Sequence, residues 1–276
     1  MRQGSPHGSG AVCVHWDMDL ASTARRGGAR SRLGGVPTVV APAIAVVGPA
    51  RQLALPVVDP EPARPRREVL PGVVHVPAWL DLDAQRRLVA DFRRWALPPA
   101  GLRHPRVPTG HQMTVQSVCL GWHWQPYAYS RTADDTDGAP VKPLDDELVE
   151  LARAAVGAAY GAGGREATSY APDAAIVNLY APGAHLGLHQ DGEEPAAAPV
   201  VTISLGDTAM FRLAGVERRT APFTDIEFRS GDLLVFGGPN RRIYHGIPKV
   251  FAGTAPDGLG LPPGRLSITV RETGLS

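Results

Sequence analysis

The chain has 276 residues, 43% hydrophobic and 20% charged, enough for one large globular domain or two small ones. Its net charge of +1 excludes a bulk-charge argument for nucleic-acid binding, and its two cysteines, Cys13 and Cys119, exclude a disulfide framework and suit a reducing cytoplasm. No apolar run approaches the ~20 residues of a membrane span, so no membrane partner is expected.

Residues 1–67 hold nine arginines against four acidic residues and are rich in Gly and Pro, as in "ARRGGARSRLGG". Such a segment buries too little surface to offset its chain entropy. It is expected to be a disordered leader or an over-extended start of the reading frame. The domain proper is expected over 68–276, slightly acidic with 19 basic and 23 acidic residues. Any nucleic-acid contact there needs a local cluster, such as Arg218, Arg219, Arg241 and Arg242.

"VLPGVVHVPAWL" reads as a strand running into a loop. "DLDAQRRLVADFRRWAL" (81–97) predicts a helix, capped by Asp81 or Asp83, with Leu88, Val89, Phe92 and Trp95 recurring near period 3.6. "HQMTVQSVCLGWHWQPYAYS" (111–130) is aromatic and β-like. A second helix is predicted over 144–161, with Asp145 or Asp146 in its first turn and glycines at its end. After residue 170 come short strands with turn signals: "AAIVNLY", "HLGLHQD", "PVVTISLG", "AMFRLAG", "TDIEFRSGDLLVFGG", "RRIYHGI" and "GRLSITVRE". Many strands after helical segments predict an α+β protein, mainly β: a sandwich or jelly roll with helices packed on one side.

The chemistry concentrates in "HLGLHQDGEE". In an extended strand residues i and i+2 share a face, so His189 and Asp191 aim an imidazole and a carboxylate at one point. His245, in "RRIYHGI", supplies a second imidazole. Two histidines and a carboxylate leave open coordination positions and suit non-haem Fe(II). A lone His-X-Asp is weak, since an exposed histidine beside a turn reads the same way. "GRLSITVRE" alternates cleanly, with Leu266, Ile268 and Val270 on one face and Arg265, Ser267, Thr269 and Arg271 on the other. That second face is either solvated or a clamp for a carboxylate, which guanidinium forks match bidentately. In "IVNLYAPG", Asn178 and Tyr180 share a face and offer an amide and a phenol.

Taken in order, Asn-X-Tyr-X-Pro-Gly, His-X-Asp, Tyr-His-Gly and Arg-X-Ser-X-Thr-X-Arg resemble the AlkB family of Fe(II)/2-oxoglutarate dioxygenases over about 68–276. The resemblance implies a double-stranded β-helix, the jelly roll of that superfamily, with the N-terminal helices packed on one face. It implies Fe(II) on His189, Asp191 and His245, and 2-oxoglutarate held by Asn178, Tyr180, Arg265, Ser267 and Arg271, with Arg271 on the distal carboxylate. With O₂, the reaction implied is oxidative demethylation of a nucleobase such as N1-methyladenine or N3-methylcytosine, yielding succinate, CO₂ and formaldehyde. The substrate implied is alkylated single-stranded DNA or RNA, met by a monomer.

On the substrate side the resemblance implies Trp122 stacked on the base opposite His189, and Tyr127 and Tyr129 near the base or its phosphates. Glu193 would face the exocyclic amine, and Arg218, in "AGVERR", would contact nucleic acid. Glu194 is expected to be solvated, and Trp124 to sit in the core or on the surface. The sequence departs from the family between Trp122 and Tyr127, where it is shorter, at Ser267, where asparagine is common, and at Ser117, where a bulkier apolar residue can pack. These departures bear on substrate preference. Two rivals remain: an Fe(II)/2-oxoglutarate hydroxylase acting on a protein or small metabolite, and a binding module that has lost iron.

Overall fold

Two strands, not one, open the domain. A computed structural model describes residues 64–276. In it "VLPGVVHV" folds into β1 (Arg67–Leu70) and β2 (Val73–Val76), an antiparallel pair. Gly72 turns between them at φ +74°, where a Cβ would lie 2.5 Å from Gly237 O. Pairing with the domain also reaches into the expected leader: Arg64 Nη1 lies 2.7 Å from the buried Asp232. Residues 1–63 of that leader, with Cys13, lie outside the described residues.

Helix α1 (Leu82–Trp95) starts where Asp81 accepts from Ala84 N at 2.8 Å. It buries the predicted stripe of Leu88, Val89, Phe92 and Trp95. Helix α2 (Asp146–Tyr160) is bounded by Asp145 and Gly161, but Asp145 makes no capping bond. Its carboxylate instead accepts the Trp95 indole N–H at 2.8 Å, tying the two helices together. A short α3 (Arg165–Ser169) was not foreseen. Among the described residues no helix is long and apolar enough to cross a membrane.

The remaining strands are β3 (Gln116–Leu120), β4 (His123–Gln125), β5 (Ala128–Ser130), β6 (Ala174–Tyr180), β7 (Leu186–His189), β8 (Val200–Gly206), β9 (Thr208–Leu213), β10 (Thr224–Phe228), β11 (Leu233–Phe236), β12 (His245–Phe251) and β13 (Arg265–Arg271). "RRIYHGI" differs from its expected form: strand begins only at His245, Arg241 and Arg242 form a turn, and Ile243 and Tyr244 are irregular. A seven-stranded sheet runs β1-β2-β11-β8-β13-β6-β3 and a four-stranded sheet runs β10-β9-β12-β7. Between β3 and β6, β4 and β5 pair as a separate hairpin.

This is the expected jelly roll. The outer face of the larger sheet, including Val118, Val177, Ile203 and Ile268, packs on α1 and α2. Its inner face meets the smaller sheet around Tyr180, Phe211, Phe228 and Phe236. Strand β13 is central and buried along its whole length, so its polar face is not solvated. Arg265 lies over the rings of Tyr180 and of Phe228, one from each sheet, which places that face between the sheets.

Candidate active site

The pairing of β7 with β12 sets His189 directly opposite His245. Their ring centroids are 4.5 Å apart. Asp191, two residues past His189, turns back between them: His189 Nε2 is 3.6 Å from its Oδ1 and His245 Nε2 is 3.8 Å from its Oδ2. One ligand atom from each of the three lies within 4.8 Å of the others. Each ring is oriented from behind, with His189 Nδ1 3.0 Å from Gly187 O and His245 Nδ1 3.0 Å from Ile243 O. A carbonyl only accepts, so Nδ1 carries the proton in both rings and Nε2 keeps its lone pair for a metal.

The electrostatics suit a divalent cation. Burial, with His189 alongside, pushes His245 down to about 4, so it is neutral at neutral pH. Burial alone would raise Asp191, but Arg271 and then the two histidines hold it well below the usual carboxylate range. Asp191 Oδ2 is buried with no hydrogen-bond partner. Two imidazoles and an ionised carboxylate with an idle oxygen fit Fe(II) with positions left open.

The inner face of the larger sheet forms the opposite wall. In register across it stand Ser117, Asn178, Ser267 and Ser204, then Tyr180 beside Arg265, and Thr202 beside Thr269. Asn178, Tyr180, Ser267 and Arg271 share one inner cavity with His189 and His245. The alternation of "VVTISLG" puts Thr202 and Ser204 on one face, so this part of the wall is also legible in the sequence.

The two arginines of β13 do not sit as expected. Arg271, assigned to the distal end of the cosubstrate, lies at the metal cluster, with Nη2 2.7 Å from Asp191 Oδ1. Its Nη1 donates to Glu194 at 2.8 Å and to Tyr129 OH at 2.9 Å. Arg265 is the one left open. Fully buried, it donates to the hydroxyls of Ser204 at 3.0 Å and Ser267 at 3.4 Å, and its Nη1 has no partner. Burial pushes its guanidinium down, as for a cation without an anion.

The substrate side needs several corrections. Trp122 does not face His189: it is buried, donates its indole N–H to Asp173 at 3.1 Å and is covered by Arg131 at 3.4 Å. Trp124 instead lines an outer cavity of about 130 Å³, together with Met113, Pro126, Tyr127, Leu186, His189 and Arg271. The Pro126–Tyr127 turn, two residues between β4 and β5, puts Tyr127 at φ +73° and leaves it 72% exposed at the mouth. Tyr129 is tied into the site interior, its phenol donating to Glu194 at 2.5 Å.

Glu194, expected in solvent, is 2% exposed and joins Arg271 to Arg241. Glu193 is half-buried, and its carboxylate accepts only from Gly192 N, at 3.3 Å, among the described residues; it lines neither cavity. Arg241 is buried, donating to Ala198 O and Asp191 O, and so leaves the expected basic cluster. Arg218, Arg219 and Arg242 are exposed. The turn carrying Arg218 is held to the metal motif by Gln190, whose amide donates at 2.6 Å to both Val216 O and Arg242 O.

Residues 72–271 match the 2OG-Fe(II) oxygenase superfamily. The alpha-ketoglutarate-dependent dioxygenase AlkB of Escherichia coli (strain K12) is 34% identical over 219 residues, covering 77% of this chain and 95% of that protein. The DNA N(6)-methyladenine demethylase ALKBH1C of Arabidopsis thaliana is 32% identical over 223 residues, 74% of this chain and 49% of its own. The chain thus spans about half the length of this plant relative. The solved structure of OsALKBH1 matches with a TM-score of 0.68 at 30% identity, covering 75% of this chain and 100% of that one.

Proposed function

The chain belongs to the AlkB family of 2OG-Fe(II) oxygenases, and from that premise we propose that it oxidatively demethylates N-alkylated bases in DNA or RNA. One atom of O₂ enters succinate as 2-oxoglutarate loses CO₂; the other enters the N-methyl group, which leaves as formaldehyde. The observation that carries this reading is the inner cavity, lined on one side by His189 and His245 of the metal cluster and on the other by Tyr180 and Ser267, which contact the fully buried Arg265, a cation lacking an anion.

His189, Asp191 and His245 hold iron, which when bound supplies the oxygen-activating chemistry. Arg265 takes the distal carboxylate of 2-oxoglutarate through its idle nitrogen, and Ser204, Ser267 and Tyr180 complete that end. Arg271 fixes the orientation of Asp191. Asn178, Thr202 and Thr269 line the space between.

The outer cavity is bounded by flat and flexible apolar side chains, which suit a flipped or single-stranded base. Trp124 and Tyr127 take the stacking role first given to Trp122. Arg218, exposed on the turn that Gln190 holds, meets backbone phosphate. Location in the cytoplasm, which the sparse cysteines suit, and a monomeric state complete the proposal.

The test is formaldehyde release from a panel of methylated oligonucleotides, single- and double-stranded, DNA and RNA, with and without iron. Iron-dependent formaldehyde matched by succinate is expected. Succinate formation that no methylated oligonucleotide stimulates would overturn the reading in favour of a protein or metabolite hydroxylase.

A further inference from the structure

The β4–β5 hairpin is rooted in charge. Cys119, 1% exposed near the end of β3, receives the Trp124 backbone N–H on its sulfur at 3.4 Å. Arg103, also buried, donates Nη1 to the same sulfur at 3.6 Å and Nη2 to Trp124 O. Its Nε is 3.1 Å from Asp135 Oδ1, which also lies 2.6 Å from His123 Nε2. Four ionisable side chains meet here, and both backbone polar groups of Trp124 end on them.

Their protonation is mutually set. Burial alone would raise the Cys119 thiol, but Arg103 and His123 outweigh it and hold it below its usual value. Burial alone would lower His123, but its bonds to Asp135 and Cys119 raise it to about 9. The cluster sets two cations, Arg103 and His123, against the Asp135 carboxylate and a thiol whose ionisation they favour. Satisfying one amide and one carbonyl needs no charge, and burying charge costs desolvation that apolar packing avoids. Charge-assisted contacts do fix direction, however. What they direct is Trp124, whose side chain lines the outer cavity with His189 and whose indole N–H is buried without a partner.

We propose that the Cys119–Arg103–His123–Asp135 cluster is a clamp that fixes Trp124 in the wall of the outer cavity, which makes Cys119 a positioning residue for the nucleobase substrate. The substrate part rests on the function proposed above; the clamp itself rests on the contacts around Trp124. Cys119 acts only through Trp124, so its effect must vanish when that ring is gone.

The experiment is a double-mutant cycle on the iron-loaded full chain with a methylated single-stranded oligonucleotide. Cys119→Ala and Trp124→Ala are each expected to raise KM about tenfold with kcat held within about twofold. The double variant is expected to match Trp124→Ala, and Cys119→Ser, which keeps an acceptor in place, to recover most of the loss. Additive KM effects in the double variant would overturn the clamp. If the unaltered protein releases no formaldehyde from any oligonucleotide, the functional reading has failed and the clamp is judged by ¹⁹F spectra of 5-fluorotryptophan-labelled protein. The Trp124 resonance, assigned by its loss in Trp124→Phe, is expected to move in Cys119→Ala; an unmoved resonance would overturn the proposal.

Discussion

The two ends of β13 carry the same side chain on the same face and treat it in opposite ways. Arg271 is neutralised by the protein itself: Asp191 and Glu194, with the Tyr129 hydroxyl, meet its terminal nitrogens, and only its Nε is idle. Arg265 is buried as deeply and meets only hydroxyls and aromatic rings, with one nitrogen idle. A buried cation that lacks an anion carries several kcal/mol of desolvation penalty unrelieved. The difference separates a charge that builds the protein from a charge that waits for a ligand. Burial alone does not mark a binding residue; a buried cation with no anion does.

The largest effect that bears on this comparison comes from Asp191→Ala. It removes a metal ligand while Glu194 still holds Arg271, so formaldehyde release should fall below detection while circular dichroism stays native. Next come the arginines, with opposite signs in stability. Arg271→Met strands the buried carboxylate of Asp191, while Glu194 keeps Arg241, and should cost about 3–5 kcal/mol in urea unfolding. Arg265→Met removes an unmatched charge, so unfolding of the ligand-free protein should be unchanged or stabilised by about 1–4 kcal/mol. Its KM for 2-oxoglutarate should nonetheless rise at least about 30-fold. Equal destabilisation by the two substitutions would erase the distinction.

A smaller effect sharpens the contrast between these arginines and the cluster beneath Trp124. The raised His123 contributes stability that is fully present below 6.5 and lost as pH rises through about 9. The lowered Cys119 contributes stability present above 9.0 and lost as pH falls through its depressed value. The two oppose each other between these limits, so the unaltered protein should show a shallow pH dependence there. In Cys119→Ser the opposing thiol limb is gone and Asp135 alone keeps His123 raised, so urea midpoints should fall as pH rises above 6.5 and level off before pH 9. The smallest effect belongs to Arg218→Glu, which should raise KM for oligonucleotide about two- to threefold at low salt and not at high salt.

Elements with a strong period were legible in the sequence. The stripe on α1 and the alternation of β13 each follow from one element and fold as read, and His189 and Asp191 converge as expected although β7 ends at His189. What escaped depends on irregular backbone. In the loop after Asp191 no period tells neighbours apart, so Glu193 and Glu194 were exchanged in importance. The hairpin register that turns Trp124 rather than Trp122 toward His189 hangs on a two-residue turn with a non-glycine residue at positive φ, a strained choice that propensity does not foresee. The order of the arginines along β13 was visible, but which end met the metal depended on the pairing of a different sheet.

Both metal-facing imidazoles are locked by a carbonyl two residues upstream, Gly187 for one and Ile243 for the other. A socket set so firmly in advance has little means of refusing a rival ion of similar size. Nickel and copper bind such nitrogen and oxygen donors more tightly than ferrous iron does. Competition for the socket is then decided by supply, and excess nickel should poison the protein without unfolding it.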